Sequence, residues 1–264
     1  MSFLADIIEV KKDEIKKLRK DFSLNRFADS EFFNLNGISI GNALQKKNSL
    51  AIIGEIKKAS PSKGILRKDF NHYKIADIYF ENGIDAVSIL TDKLFFQGDI
   101  KFLHDIAQIK SAPLLRKDFI LDEYQIYEAK SNGADAVLLI SEILSVGQIN
   151  DLTHCAIENN LEVLLELHSR DEISKIDFST NKIIGINNRD LNTFNVDLDT
   201  TKQISELVPK GIITVSESGI TRRKDLDLLK GAGINGILVG EHFMTSTHLS
   251  DSVKEMKEWC SFEN

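Results

Sequence analysis

Little in this sequence breaks or staples a chain. Three prolines and fifteen glycines in 264 residues exclude a collagen-like or proline-rich disordered protein. Two cysteines, Cys155 and Cys260, lie far apart and in no paired motif, which excludes a disulfide framework and points to a reduced, intracellular protein. The six histidines show no HxH or HExxH spacing, so no metal is expected. No apolar run approaches the length needed to cross a membrane. The start, Met1-Ser2-Phe3-Leu4-Ala5-Asp6, soon turns lysine-rich without the apolar stretch of a signal peptide, and a cytoplasmic location is expected. A net charge of −7 and a pI near 5.5 give no general attraction for nucleic acid or anionic membrane. An anionic ligand would need its own local cluster of cations.

What is present is a core-forming chain, 42% apolar, with an internal rhythm. Residues 2–20 read as an amphipathic helix, with Leu4, Ile8, Ile15 and Leu18 on one face and Lys11, Lys12, Lys16 and Lys17 largely elsewhere. Such a helix packs on a core or lids one end of a domain. A second helical patch spans about 38–47. From residue 51 a repeat appears. Asn82-Gly83-Ile84-Asp85-Ala86-Val87, Asn132-Gly133-Ala134-Asp135-Ala136-Val137 and Ala232-Gly233-Ile234-Asn235-Gly236-Ile237 each pair a helix-ending glycine with a turn and a buried strand. Their spacing fits a unit of roughly 25 residues. Eight strands then emerge, at 51–57, 86–90, 113–116, 136–140, 161–166, 182–187, 211–216 and 236–240, with helical patterns at 71–82, 99–110, 122–131, 145–159, 169–177, 199–207, 221–230 and 248–260. Alternating units with continuously apolar strands imply a parallel sheet covered by helices. Eight of them with no remainder imply a single (β/α)8 TIM barrel, residues 49–264, behind an N-terminal helical extension, residues 1–48, all as one domain. A doubly wound open sheet is the alternative, but the GxGxxG expected after its first strand is absent.

In such a barrel the active site forms at the C-terminal strand ends. Those ends carry Glu55 and Lys57, Thr91-Asp92, Lys117-Asp118-Phe119, Ser141-Glu142, Glu166, Asn187-Asn188-Arg189-Asp190, Glu217-Ser218-Gly219 and Gly240-Glu241. One polar residue at a strand end is an ordinary cap or salt bridge. Acids and amines around a whole rim are hard to explain by stability, because crowded charges must be desolvated and paired. Lys57 and Lys117 can hold a carboxylate, polarise a carbonyl or give a proton. Glu55, Glu166 and Glu217 can carry protons, with pKa values set by burial and by those lysines. Ser218-Gly219 and Gly240, after the last two strands, suit a phosphate held by backbone N–H groups. Phe95, Phe96 and Phe119 can wall an apolar part of a ligand or simply pack.

Six segments resemble the indole-3-glycerol phosphate synthase family and occur in that family's order across residues 50–243. They are Glu55-Ile56-Lys57-Lys58-Ala59-Ser60-Pro61-Ser62-Lys63-Gly64, Leu90-Thr91-Asp92-Lys93-Leu94-Phe95-Phe96-Gln97-Gly98, Leu114-Leu115-Arg116-Lys117-Asp118-Phe119-Ile120, Leu164-Leu165-Glu166-Leu167-His168, Ile184-Gly185-Ile186-Asn187-Asn188-Arg189-Asp190-Leu191 and Val215-Ser216-Glu217-Ser218-Gly219-Ile220. The resemblance implies closure of a carboxyphenylamino deoxyribulose phosphate to an indole, with loss of carbon dioxide and water and no cofactor. It implies Lys117 as general acid and Glu166 in the proton transfers of dehydration, with Lys57 as its electrostatic partner or alternate acid. Glu55, Asn187 and Glu217 would orient substrate and lysines. Ser60 and Arg189 would bind anionic groups, Ser218, Gly219 and Gly240 the phosphate, and Phe95 and Phe119 the ring. Which lysine gives which proton is not set by sequence. One departure is His242, where the family commonly has a small or hydroxyl residue. A monomer is expected, with contact to another enzyme of the pathway left open. Two rival classes remain at this level: a Schiff-base aldolase with Lys117 as nucleophile, and a barrel that only binds a phosphorylated ligand.

Overall fold

A computed structural model describes residues 3–262. Three helices, α1 (Phe3–Asp21), α2 (Leu24–Ala28) and α3 (Ile40–Leu44), precede the first strand, β1 (Ala51–Ile56). A small antiparallel hairpin of β2 (Ala59–Ser60) and β3 (Gly64–Ile65) follows. The chain then alternates through α4 (His72–Glu81), β4 (Ala86–Leu90), α5 (Ile100–Ala107), β5 (Leu114–Lys117), α6 (Glu123–Ser131), β6 (Ala136–Ile140), α7 (Val146–Glu158) and β7 (Glu162–Leu167). After a 3-10 turn at Arg170–Lys175 it continues as β8 (Ile183–Asn187), α8 (Asp199–Ser205), β9 (Ile213–Glu217), α9 (Arg223–Gly231), β10 (Gly236–Val239), α10 (Glu241–Thr245) and α11 (Leu249–Cys260). Eight parallel strands close in the order β1-β10-β9-β8-β7-β6-β5-β4, with β1 returning to β4. The expected (β/α)8 barrel is the fold.

Local chemistry explains the alternation. Asn71, Asp99, Asp122 and Ser145 each accept a backbone N–H in the first turn of the helix they cap. Gly83, Gly133 and Gly233, the repeat glycines, all have positive φ, as a helix-ending turn requires. The aspartate in each turn before a strand pins the start of the preceding, neighbouring strand: Asp135, before β6, accepts from Leu114 N of β5 at 2.9 Å and Asp85, before β4, from Ile52 N of β1 at 2.9 Å.

Two cores result. One lies between strands and helices. The other fills the barrel, with Ile53, Leu115, Leu138, Leu164 and Val215, and is continued at its ends by Leu4 and Ile7 of α1 and by Ile40 and Leu44 of α3. α3 sits at the N-terminal strand ends, where Glu162 accepts from Ile40 N at 2.5 Å and Gly41 N at 3.1 Å. That contact accounts for a carboxylate at the start of β7, at the end of the barrel away from the rim. α1 covers the opposite, C-terminal end.

The structure corrects several expectations. Lys11 is on the buried stripe of α1 with Leu4, Ile7 and Ile15, at 2% exposure. Its Nζ lies 2.7 Å from Asp92 and 2.8 Å from Asp118, at the ends of the second and third barrel strands. The 169–177 helix is a 3-10 turn, the 38–47 helix is only Ile40–Leu44, and α10 and the β2–β3 hairpin are additions. Ser2, the expected start of α1, lies outside the described residues.

Burial opposes the charge on Asp118, but Lys11 and Arg116 outweigh it and hold its pKa near about 2, below the usual 3.8. A depressed carboxylate stabilises the fold above its unfolded pKa and loses that contribution as pH falls through the folded one. Lys11→Met should therefore cost about 3–5 kcal/mol in urea unfolding at pH 7, because it leaves buried Asp92 without its cation and Asp118 with Arg116 alone. The deficit should narrow between pH 3.8 and about 2. Equal stability at pH 7 would remove the ion triad as the anchor of α1.

Candidate active site

The barrel's alternate strands each send one charged side chain to the C-terminal opening: Glu55 from β1, Lys117 from β5, Glu166 from β7 and Glu217 from β9. Successive strand residues face opposite sides, and the closed sheet turns four such positions toward one axis. Lys117 Nζ lies 2.9 Å from Glu166 Oε2 and 2.8 Å from Glu217 Oε2. Lys57, just past β1, reaches back to Glu55 Oε2 at 2.5 Å. Two glycines make room. A Cβ at Gly185 would collide with Glu217 Oε1, and one at Gly240 with Glu55 Oε2.

The charges are not independent. Burial opposes the Lys117 ammonium, yet the carboxylates of Glu166, Glu217 and Glu55 outweigh it and raise its pKa above 10.5. Burial would raise Glu166 too, but Lys117 and His168 pull it well below 4.5. Glu217 goes the other way. Burial, reinforced by the neighbouring Glu166 charge, pushes it up to about 8 against the pull of Lys117. Two carboxylates sharing one ammonium cannot both ionise freely. The surroundings thus favour the ionised form at Glu166 and the protonated form at Glu217.

These groups open into a cavity with about 1160 Å³ of empty space counted out to its mouth. Lys57, Ser60, Lys117, Phe119, Glu166, Asn187, Arg189, Glu217, Ser218, Gly219 and Gly240 all line it. Phe95 stands behind the wall, edge-on to Phe3 with ring centres 5.5 Å apart, while Phe96 lines the cavity. Ser218 and Gly219 both have positive φ, 67° and 82°, which is costly for serine. Asn188 holds that turn, donating from Nδ2 to the carbonyls of Glu217 at 2.9 Å and Ser218 at 3.1 Å. Thr221 N and Arg222 N donate to Asp225, so the start of α9 is capped by its own carboxylate. Arg189 donates to the carbonyl of Phe194 and lies 3.5 Å from Glu241, whose other oxygen takes Lys63 at 2.5 Å.

Thus the residues given roles by the resemblance reach one cavity except Phe95, while the rim acids Asp92, Glu142 and Asp190 stand outside its lining. Sequence reasoning missed Phe3, Leu4 and Ile7 of α1 and Phe194, which complete the wall. The apolar face of α1 was the available signal for the first three. It also gave His168 no role, although its ring lies 3.2 Å from Glu166. His242 lines the cavity mouth, and burial lowers its pKa.

Fold and site together define a (β/α)8-barrel enzyme with buried acids and amines gathered at its C-terminal opening. Solved barrels of the same shape include 3-hexulose-6-phosphate synthase from Salmonella typhimurium, with a TM-score of 0.65 at 10% identity over 80% of this chain and 98% of that one. A family profile for indole-3-glycerol phosphate synthase matches residues 4–256. Relatives bearing that name include one from Alkaliphilus metalliredigens, 41% identical over 254 residues, 96% of this chain and 97% of the relative. Another, from Thermoanaerobacter pseudethanolicus, is 42% identical over 260 residues, 96% of this chain and 98% of the relative. The chain belongs to the indole-3-glycerol phosphate synthase family.

The glycine geometry can be tested directly. Gly185→Ala and Gly240→Ala should each destabilise the protein by about 1–3 kcal/mol, as overpacking does. Gly147→Ala, where nothing lies within 4 Å, should be neutral or stabilise by up to about 1 kcal/mol. Equal melting behaviour for all three would contradict the close approach of the two carboxylates.

Proposed function

We infer that this chain is an indole-3-glycerol phosphate synthase of tryptophan biosynthesis. It closes 1-(2-carboxyphenylamino)-1-deoxyribulose 5-phosphate to indole-3-glycerol phosphate, releasing carbon dioxide and water. The observation that carries the reading is the Lys117 ammonium, held between Glu166 and Glu217 and facing a closed-bottomed cavity.

Lys117 protonates the substrate ketone as the aromatic carbon attacks it. A tightly held ammonium is suited to this, because the acceptor becomes an alkoxide only as the bond forms, and an alkoxide is far more basic than lysine. Loss of carbon dioxide then restores the ring's aromaticity. Glu166, the ionised carboxylate, removes the proton from the adjacent chain carbon as water departs. Glu217, holding a proton, orients Lys117 without cancelling its charge. Lys57 and Glu55 set the field beside them and assist as alternate acid and orienting group, and Asn187 positions the chain hydroxyls. Ser60 and Arg189 receive anionic groups. The phosphate lies against Ser218, Gly219 and Gly240, and the substrate ring lies against Phe119, with Phe96 taking the wall position expected of Phe95. Residues 1–264 work as one domain, in this reading a cytoplasmic monomer, with α1 as part of the site. Contact with another enzyme of the pathway stays a proposal.

A Schiff-base aldolase needs Lys117 as a free amine, and its two carboxylate partners favour the ammonium instead. Purified protein given the carboxyphenylamino substrate should develop indole fluorescence, with no covalent adduct trapped by borohydride. An inert, folded protein, or a trapped adduct, would refute the assignment. Lys117→Ala should lower kcat by at least about 100-fold while product still binds in a fluorescence titration. Near-normal turnover would remove Lys117 from the acid role.

A further inference from the structure

The proposed reaction consumes a proton. The ketone oxygen leaves as water and so acquires two protons. One comes from the chain carbon when the double bond forms. The substrate carboxylate departs as neutral carbon dioxide, its bonding electrons returning to the ring system, so the second proton must come from the medium. Lys117 faces the cavity that Phe3, Leu4 and Ile7 of α1 help to wall, so substrate bound there would stand between it and solvent. We propose that His168 and Glu142 form the route by which that proton reaches Glu166 from solvent.

The two oxygens of Glu166 face opposite ways. Oε2 meets Lys117 at 2.9 Å and Oε1 meets His168 Nε2 at 3.2 Å. On its far side, His168 Nδ1 lies 3.6 Å from Glu142 Oε2. Both ring nitrogens are shielded from water, and neither is locked in a straight hydrogen bond among the described residues. Glu142, in the 3-10 turn after β6, is 31% exposed. The loop holding His168 is set by Glu172, which accepts from His168 N at 3.1 Å. The charged groups around the ring are Glu166, Glu172 and Glu142, with Asp190 beyond Glu142, all acidic. Burial disfavours the imidazolium, but Glu166 and the other acids outweigh it and raise the pKa above 6.5. Water protonates Glu142, Glu142 passes a proton to Nδ1, and Nε2 passes one to the Glu166 carboxylate at Oε1; the neutral carboxyl then turns and gives that proton to the Lys117 amine left by the acid step, and a flip of the imidazole restores its first tautomer. Each bond to hydrogen that breaks is replaced by one that forms, and the ring ends in the charge state in which it began.

The relay rests on the proposed reaction, and its test separates the two. Wild-type enzyme should form indole product and take up one proton per turnover, read with an indicator dye. If it forms no product, the reaction reading fails first. His168→Ala and Glu142→Gln should each lower kcat about 100-fold at pH 8, the low end of the range for a lost proton-transfer step, with KM within about twofold. Their kcat should rise with imidazolium buffer concentration and show a larger solvent deuterium effect than wild type. Glu142 is near the surface, so its variant decides the matter if His168→Ala fails to fold. Wild-type kcat in Glu142→Gln, or a loss that neither buffer acid nor deuterium alters, would overturn the relay.

Discussion

The structure turns on one buried ammonium. Lys117 is the cation that lets Glu166 stay ionised and Glu217 stay buried at the barrel axis. Remove its charge and Glu166 and Glu217 lose the cation between them, an arrangement that buried carboxyl groups tolerate only when one is protonated. The barrel's geometry makes the arrangement possible. Odd-numbered barrel strands turn side chains into one layer, and where lower layers are branched and apolar, the uppermost is Glu55, Lys117, Glu166 and Glu217. Glycines at 185 and 240 are what two carboxylates at that layer require of their neighbours.

The N-terminal extension serves both ends of this barrel. α3 packs at the N-terminal strand ends through Glu162, and α1 lids the other end. The lid is held by a second buried cation, Lys11, and its aspartates each have further duties. Asp92 accepts from Phe95 N and Phe96 N and so shapes the aromatic loop. Asp118, next to Lys117, takes Thr91 and Arg116 and its neighbour's own N–H. Docking of α1, shape of the wall and placement of the acid are therefore tied by one hydrogen-bonded cluster, as a site needing sub-ångström positioning demands.

Much of this was legible in the residues. Strands buried on both faces read as unbroken apolar runs, so the first polar residue after each marked the rim, and the rim is where chemistry collects. Helix caps and repeat glycines set the period. What was hidden depended on tertiary pairing. Lys11 lies in register with Leu4, Ile7 and Ile15 on α1, yet a lysine on an apolar stripe is read as solvent-facing until its two aspartates, more than 80 residues away, are in view. Phe95 and Phe96 alternate in a loop, where no period says which ring faces inward. Residues 169–177 have helical composition, but the Glu172 carboxylate caps backbone N–H groups of residues 168 and 169 and a 3-10 turn forms. His168 stood in a recognised segment, but its meaning came only from carboxylates on either side.

The central claim is that the Lys117 trio holds one carboxylic acid at neutral pH. Infrared difference spectroscopy across a pH titration measures this, through the carbonyl stretch of a protonated carboxyl. The account predicts a band present at pH 7, lost as pH rises through about 8, and absent in Glu217→Gln. A spectrum with no such band at pH 7, or a band that persists unchanged in Glu217→Gln, would contradict it.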